Sequence, residues 1–193
     1  MIRLVLAYGA IHLNVLFLSC YLLGYLDREV LLLLQVGFLV ILWRSVFKDR
    51  KVQLDISWKK RARWVLLGLF FMVFLSLLVS LLASEVPHNQ ARLMEVQGQV
   101  PLVPFFLFLL NASIAEEYLY RQLLWERLKS PLPQLMITSL LFTFAHHPSS
   151  LVTYFTYGGL GVTLGFVRLK TDAFTALLLH VSWNVLVLSL SMV

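Results

Sequence analysis

Long stretches with almost no charged side chains constrain this sequence more than any other feature. A helix needs about 20 mainly apolar residues to cross the hydrocarbon core of a membrane. Seven nearly uncharged runs approach or reach that length, at residues 4–26, 30–43, 64–83, 101–125, 132–145, 151–167 and 173–193. The run from Leu132 is short enough to be a buried helix instead of a full crossing. We therefore expect an all-α fold, a polytopic transmembrane bundle of about seven helices, some of them short or partly buried.

Composition excludes two alternatives, an ordinary soluble domain and a disordered chain. The sequence is 60% hydrophobic and 13% charged, whereas soluble domains contain about 45–50% apolar and about 25% charged residues. Disordered chains are poor in aliphatic and aromatic residues. A single cysteine, Cys20, allows neither an internal disulfide nor a cysteine-based zinc site. Seven spans leave room only for short loops, so we expect residues 1–193 to form one membrane-embedded domain, with a motif-bearing core at about 101–193.

The basic residues predict how the chain is oriented in the membrane. Eight of the 16 Lys and Arg residues fall between positions 44 and 63, and short basic loops stay on the cytoplasmic side. We expect the N-terminus and the basic loop 44–63 to be cytoplasmic, and the link 84–100 and the C-terminus to lie outside the cell membrane. The net charge of +6 then reflects contact with anionic lipid and not with nucleic acid. The eight residues are Arg44, Lys48, Arg50, Lys51, Lys59, Lys60, Arg61 and Arg63.

Ionisable and polar side chains inside the apolar runs are the candidates for function. Each charged side chain costs roughly 2.5–3.5 kcal/mol at the centre of a spanning helix, so it usually faces a partner or a water-filled cavity. Three groups stand out: Glu116, Glu117 and Arg121; Phe142 and His146; His180 and Asn184. A minor set in the first run has no assigned role, and we expect it to pack against the bundle. That set is His12, Asn14 and Cys20.

Helical geometry divides the first group. Glu117 and Arg121 are four residues apart and share a face, so they can form an ion pair. Glu116 is rotated by about 100° from Glu117 and cannot share that geometry. This arrangement indicates one carboxylate neutralised by Arg121 and a second one left for proton chemistry. The alternative is that both glutamates only hold helices together, since structural ion pairs also occupy membrane interiors.

The histidines and the asparagine leave similar alternatives open. His146 lies just before His147-Pro148, where a helix tends to end, so it is either a satisfied terminal residue or a catalytic one. His180 and Asn184 share a helix face and could present two N–H donors to an oxyanion, or could hydrogen-bond to neighbouring helices. A carboxylate, two histidines and an amide in three separate spans are costly to keep without a use.

In this order and spacing, the three groups resemble the motifs of the CAAX protease and bacteriocin-processing family. These intramembrane endopeptidases include Ras-converting CAAX enzymes and bacterial self-immunity proteins. The resemblance covers about residues 101–193, and the glycines at 158, 159, 161 and 165 resemble its small-residue helix. The family patterns Glu-Glu-x-x-x-Arg, Phe-x-x-x-His and His-x-x-x-Asn correspond to Glu116, Glu117 and Arg121, to Phe142 and His146, and to His180 and Asn184.

The resemblance implies a peptidase that cleaves a membrane-associated protein or peptide. Glu116 would be the general base, and His146 would help to hold and activate the attacking water. His180 and Asn184 would stabilise the oxyanion, and Glu117, Arg121 and Phe142 would support the site. These roles require the four catalytic side chains to meet around one water-accessible pocket within the bundle.

Other functions and chemistries compete with this interpretation. A glutamate and two histidines could bind zinc. However, the sequence has no His-Glu-x-x-His motif. We therefore expect chemistry without a metal or other cofactor. A non-proteolytic immunity or scaffold protein is the main alternative function. A small transporter with a carboxylate relay is another, although no paired repeats are apparent. The sequence does not indicate the substrate, any recognition of a prenylated tail, or the oligomeric state.

Overall fold

The computed structural model describes residues 1–48, 56–82 and 95–192, and this part of the chain consists of helices joined by turns and short loops, without strands. The all-α prediction is therefore confirmed. The fourth α-helix, Leu102–Glu117, continues as a π-helix, Tyr118–Leu124, and then as a 3-10 turn, Trp125–Arg127. The α-helices are α1 Ile2–Leu22, α2 Arg28–Lys48, α3 Trp58–Leu82, α4 Leu102–Glu117, α5 Pro131–Ala145, α6 Leu151–Lys170 and α7 Ala173–Leu190.

Local sequence signals set several helix ends. The side chain of Asp27 accepts a hydrogen bond from the backbone N–H of Val30 at the start of α2. Ser150 and Thr153 form a capping box at the start of α6, in which each side chain satisfies a backbone donor that the first turn leaves unpaired. Pro131 occupies the first turn of α5, where its missing N–H costs nothing. Gly24, with φ of +78°, follows α1 and reverses the chain toward α2.

Five helical stretches within the described residues are long and apolar enough to cross a membrane. They are α1, α2, α3, α7 and the extended fourth helix, Leu102–Arg127. Helix α5 has only 15 residues, about 22 Å at 1.5 Å per residue, which is less than the roughly 30 Å hydrocarbon core. Large apolar side chains on α1, α2 and α3 are exposed, among them Leu33, Phe70 and Leu81. These surfaces suit a lipid environment and agree with the predicted multi-pass membrane protein.

The extended fourth helix lies at the centre of the bundle. Helix α4 packs against α1, α2 and α7, and its π-helical extension packs against α5. Buried amides join it to its neighbours: Asn14 of α1 donates to the Phe108 carbonyl at 2.9 Å, and Asn111 donates to Gln35 Oε1 of α2 at 2.6 Å. Each such bond satisfies a polar group that would otherwise face hydrocarbon. The residues that follow on the fourth helix, including both glutamates, are thereby held in a fixed position.

The minor polar set of α1 only partly meets the expectation that it packs against the bundle. Asn14 is buried and bonded to α4, and Cys20 is partly buried. His12 is exposed and has an edge-to-face contact with Tyr8 at 4.5 Å between ring centroids. The expectation was wrong for His12, because its position on the helix points it away from α4.

The predicted basic loop 44–63 is shorter than expected and is not uniformly exposed. Residues 44–48 continue α2, and residues 58–63 belong to α3. Arg61 is buried, and its Nη1 lies 2.6 Å from Asp172 Oδ1. It is therefore a structural contact and does not face lipid headgroups. Within the predicted basic loop, the side chain of Lys48 and all of residues 49–55 lie outside the described residues. Residues 84–94 of the predicted outer link lie outside them as well.

Asp172 connects α3 to the start of α7. Its Oδ1 accepts hydrogen bonds from Arg61 Nη1 and from the backbone N–H and the hydroxyl of Thr175. Burial opposes ionisation of this carboxyl group, but the bonds from Arg61 and Thr175 outweigh it and hold the pKa of Asp172 below its ordinary value. The contact ties α3 to the start of α7, the helix that carries the last motif.

Candidate active site

The three motifs lie on three helices that pack together in the core. Glu116 and Glu117 form the last turn of α4, immediately before the π-helix. Phe142 is in the last turn of α5, and His146 follows the end of that helix. His180 and Asn184 lie on α7. The π-helix that follows Glu117 has a wider turn than an α-helix, and such segments are frequent at functional sites.

Glu116 and His146 face each other across a short gap. Glu116 Oε2 lies 4.0 Å from His146 Nε2, and both side chains are about one-sixth exposed, at 16% and 17%. Glu116 Oε2 has no hydrogen-bond partner among the described residues. His146 Nδ1 is 2.8 Å from the Phe142 carbonyl oxygen. Because a carbonyl can only accept, Nδ1 carries a hydrogen, and the Nε2 of a neutral imidazole is then an acceptor directed toward Glu116.

Aromatic packing fixes the plane of the His146 ring. Phe142 lies 4.4 Å from it and Tyr157 of α6 lies 4.5 Å from it, centroid to centroid. Phe142 also contacts His180, at 5.8 Å, and the Arg121 guanidinium, at 5.5 Å. Phe142 therefore contacts residues of all three motifs, and its supporting role stays a prediction.

Glu117 has different partners from Glu116. Its Oε1 lies 3.0 Å from His180 Nδ1, and its Oε2 lies 3.8 Å from Arg121 Nε. The expected contact between Glu117 and Arg121 is present, and Glu117 is 2% exposed at its side chain. The two adjacent carboxylates therefore have different surroundings: Glu117 lies between two basic groups, and Glu116 Oε2 lies opposite His146.

Arg121 braces the helices that carry the other motifs. Its guanidinium is fully buried and donates from Nη1 to the Thr138 carbonyl of α5 at 3.2 Å and from Nη2 to the Gly161 carbonyl of α6 at 2.8 Å. Ser139 donates to the same Gly161 carbonyl at 2.9 Å. Gly161 lies so close to α5 that an added Cβ would be 3.1 Å from the Ser139 carbonyl oxygen. Close packing of α5 and α6 thereby sets the position of Phe142 and His146.

Asn184 is bonded to a residue that the motifs do not include. Its Nδ2 donates to Ser113 Oγ at 2.9 Å, and Ser113 Oγ donates to the Leu109 carbonyl at 2.8 Å. Ser113 is three residues before Glu116 on α4, so helical spacing could have identified it. Tyr157, the other site residue that the sequence did not single out, belongs to a separate helix, and no spacing rule connects it to His146.

The structure therefore brings the motifs together in pairs. Glu116 meets His146, Glu117 meets both Arg121 and His180, and Asn184 meets Ser113. His180 and Asn184 each have a partner on α4, Glu117 and Ser113, and their role at an oxyanion stays a prediction.

Zinc would need about three protein ligands that converge on one point. Within residues 1–48, 56–82 and 95–192, His, Cys, Asp and Glu side chains nowhere form a group of three that could hold a metal ion. The residues around Glu116 do not fit a three-ligand zinc site in this conformation. Chemistry without a metal stays a prediction.

Comparison with known proteins agrees with the motif geometry. The chain is 28% identical over 167 residues to UPF0177 protein YvdC of Lactococcus lactis subsp. lactis (strain IL1403), a match that covers 81% of this chain and 64% of that relative. No solved structure matches the chain significantly. Residues 98–186 match the family described as Type II CAAX prenyl endopeptidase Rce1-like, and this range contains all three motifs. Through this motif-bearing segment the chain is similar to the Rce1-like family.

Proposed function

We propose that this protein is an intramembrane endopeptidase in which Glu116 and His146 activate a water molecule. The observation that carries the proposal is the pairing of the unbonded Glu116 Oε2 with the acceptor nitrogen of His146 at 4.0 Å. Both groups can accept a proton, and they come from different helices. Two acceptors cannot bond to each other directly, so a donor such as water is needed between them.

The gap between the two groups suits one water. An oxygen that lies roughly 2.8 Å from each of two acceptors can bridge them when they are 4.0 Å apart. Such a water donates one O–H to Glu116 and the other to His146 Nε2, and its lone pairs are left to attack a carbonyl carbon. The hydrogen bond between His146 Nδ1 and the Phe142 carbonyl keeps Nε2 in the accepting state.

The proposed reaction is hydrolysis of a peptide bond. The water oxygen forms a bond to the carbonyl carbon while Glu116 takes one water proton, and the carbonyl becomes a tetrahedral oxyanion. The carbon–nitrogen bond then breaks, and the leaving nitrogen receives the proton that Glu116 holds. His146 orients the water throughout and shares the proton as it moves.

His180 and Asn184 are proposed to stabilise the oxyanion. His180 Nδ1 donates to Glu117, so its Nε2 can donate to an oxyanion only in the imidazolium form. The Glu117 carboxylate favours that form by its charge. Asn184 has two amide hydrogens, of which the bond to Ser113 takes one. Glu117 and Arg121 would then act mainly by holding these groups in place.

We propose the same membrane orientation that the basic residues predict, with the N-terminus in the cytoplasm. Two contacts agree with its grouping of segments, and the basic residues alone decide which side is cytoplasmic. Arg61 meets Asp172, which joins two segments expected on the cytoplasmic side, and Ser191 donates to Gln97, which joins two segments expected outside. Glu116 lies 14 residues into the fourth helix, so the site is at an intermediate depth where lipid-embedded peptide could reach it.

The proposal is tested by comparing membrane proteomes of cells that produce the wild-type protein or Glu116→Gln. Glu126→Gln, on the exposed end of the same helix, is the matched control. We expect cleavage products that need Glu116 and persist in the control. Restoration of the full cellular phenotype by Glu116→Gln would contradict an enzymatic role and favour the immunity or scaffold function.

The substrate class is tested with the products themselves. A quenched fluorescent peptide that carries the cleaved sequence is the reporter for purified protein. A peptide of the Cys-aliphatic-aliphatic-X type, with and without a farnesyl group, tests whether a prenylated tail is recognised. Equal cleavage of both forms would show that the prenyl group is not required.

A further inference from the structure

Ser113 is a buried hydroxyl at the site to which no motif assigns a role. It is fully buried on α4, and its Oγ is shared by two hydrogen bonds, one from Asn184 Nδ2 and one to the Leu109 carbonyl. Asn184 comes from α7, 71 residues later in the chain. The bond therefore joins the helix that carries Glu116 to the helix that carries the last motif.

The two bonds fix which end of the Asn184 amide faces α4. A serine hydroxyl has one hydrogen, and the Leu109 carbonyl, which can only accept, takes it. The lone pairs of Ser113 Oγ then face Asn184, and only the NH₂ end of the amide can meet them. Because the amide is planar, this contact also fixes the direction of the second N–H of Asn184.

Two other buried hydroxyls, those of Thr163 and Thr143, show a simpler arrangement. Thr163 and Thr143 donate to carbonyls four residues earlier in their own helices, at 2.7 Å and 2.8 Å. Ser113 makes the same bond to Leu109 and in addition accepts from a different helix. Its second bond therefore orients a functional side chain, whereas the bonds of the threonines serve their own helix.

We infer that Ser113 is a positioning residue that holds the Asn184 amide with its second N–H directed at the oxyanion, an inference that rests on the proposed peptidase function. Ser113 and Glu116 are three residues apart on one helix face. Glu116 lies on α4, and the Asn184 amide is held by Ser113 of the same helix. The distance between the base and the oxyanion donor therefore does not depend on α7 alone.

A double-mutant cycle on reporter cleavage tests this role, with Ser113→Ala, Asn184→Ala and both changes together. Removal of an oxyanion donor costs about 100–1000-fold in kcat, and we expect that loss for Asn184→Ala. Ser113→Ala should lose less, about tenfold, with little change in KM. If Ser113 acts through Asn184, the double variant should be no slower than Asn184→Ala.

Two further variants separate positioning from folding. Thr163→Val removes a buried hydroxyl of the same kind without touching the site, and its kcat should match the wild type. Ser113→Cys keeps the side-chain volume but accepts hydrogen bonds weakly, so it should lose kcat with an unchanged melting temperature. This variant keeps the test decisive if Ser113→Ala fails to fold.

The possible failures are distinguishable. Wild-type kcat in folded Ser113→Cys or Ser113→Ala would overturn the positioning role, and so would losses that multiply in the double variant. If no cleavage depends on Glu116, the proposed function fails, and the role of Ser113 falls with it. If Glu116 is needed but Asn184→Ala is fully active, only the oxyanion assignment and its positioning residue are rejected.

Discussion

Replacing Gly161 with alanine should loosen the contact that positions His146. A Cβ at Gly161 would lie 3.1 Å from the Ser139 carbonyl oxygen, 3.2 Å from Phe142 Cδ1 and 3.4 Å from Ser139 Cα. Two of these three atoms are backbone, so they cannot rotate away as the end of a flexible side chain could. Helix α5 must shift by a few tenths of an ångström relative to α6.

The size of the effect follows from a comparison with Gly37→Ala. Nothing described lies within 4 Å of a Cβ at Gly37, which is exposed on α2. In both variants, replacing glycine by alanine within a helix stabilises the helix by about 0.5–1 kcal/mol. This gain is the same for the two variants and cancels when their stabilities are compared. The remaining difference is the cost of overpacking, about 1–3 kcal/mol. Gly161→Ala should therefore unfold at the lower temperature of the two.

Activity should fall with stability in Gly161→Ala, because the same shift moves Phe142 and His146. A misplacement of about 1 Å can cost 100-fold in rate, so a smaller shift should cost roughly tenfold. The assay is reporter cleavage by purified protein, together with a thermal melt in detergent. If Gly161→Ala equals Gly37→Ala in both melting temperature and kcat, close packing of α5 and α6 does not position the site.

Three other predictions test the remaining parts of the account. Glu117→Ala should lower the free energy of unfolding by about 3 kcal/mol more than Glu116→Ala, and so melt at a lower temperature, since it leaves the buried Arg121 without its carboxylate; equal melting temperatures would contradict the bracing role. Asp172, whose pKa is lowered by folding, stabilises the protein above its unfolded pKa of about 3.9 and loses that effect as the pH falls through its lower folded value. The stability advantage of wild type over Asp172→Asn, measured by melts from pH 7 to pH 3, should therefore be full at pH 7 and shrink at the acid end; an advantage independent of pH would contradict it. Incubation with a chelator should leave reporter cleavage unchanged, and a complete loss restored by added zinc would overturn the metal-free prediction.

The fold was largely predictable because each helix follows from a local pattern. Uncharged runs located the helices, and the short run from Leu132 matched the short helix α5. The basic segment was misjudged because charge alone does not show that Arg61 is paired with Asp172, 111 residues away. Burial of a basic residue depends on a distant partner, which no local window contains.

The candidate residues could be selected from the sequence, but of their pairings only that of Glu117 with Arg121 could be predicted. The four-residue spacing of Glu117 and Arg121 indicated their contact correctly. The spacing of His180 and Asn184 showed that they share a face but not that Glu117 and Ser113 occupy that face from α4. Likewise, the packing of Tyr157 on His146 depends on how α6 lies beside α5. These contacts are set by tertiary packing.

The role of Glu116 as the base that activates water is tested most directly by the kcat of purified Glu116→Gln on the reporter peptide. Glutamine keeps the shape of the side chain and removes its ability to take a proton. With the melting temperature unchanged, we expect kcat to fall by at least about 100-fold. Cleavage by folded Glu116→Gln at the wild-type rate would contradict the account.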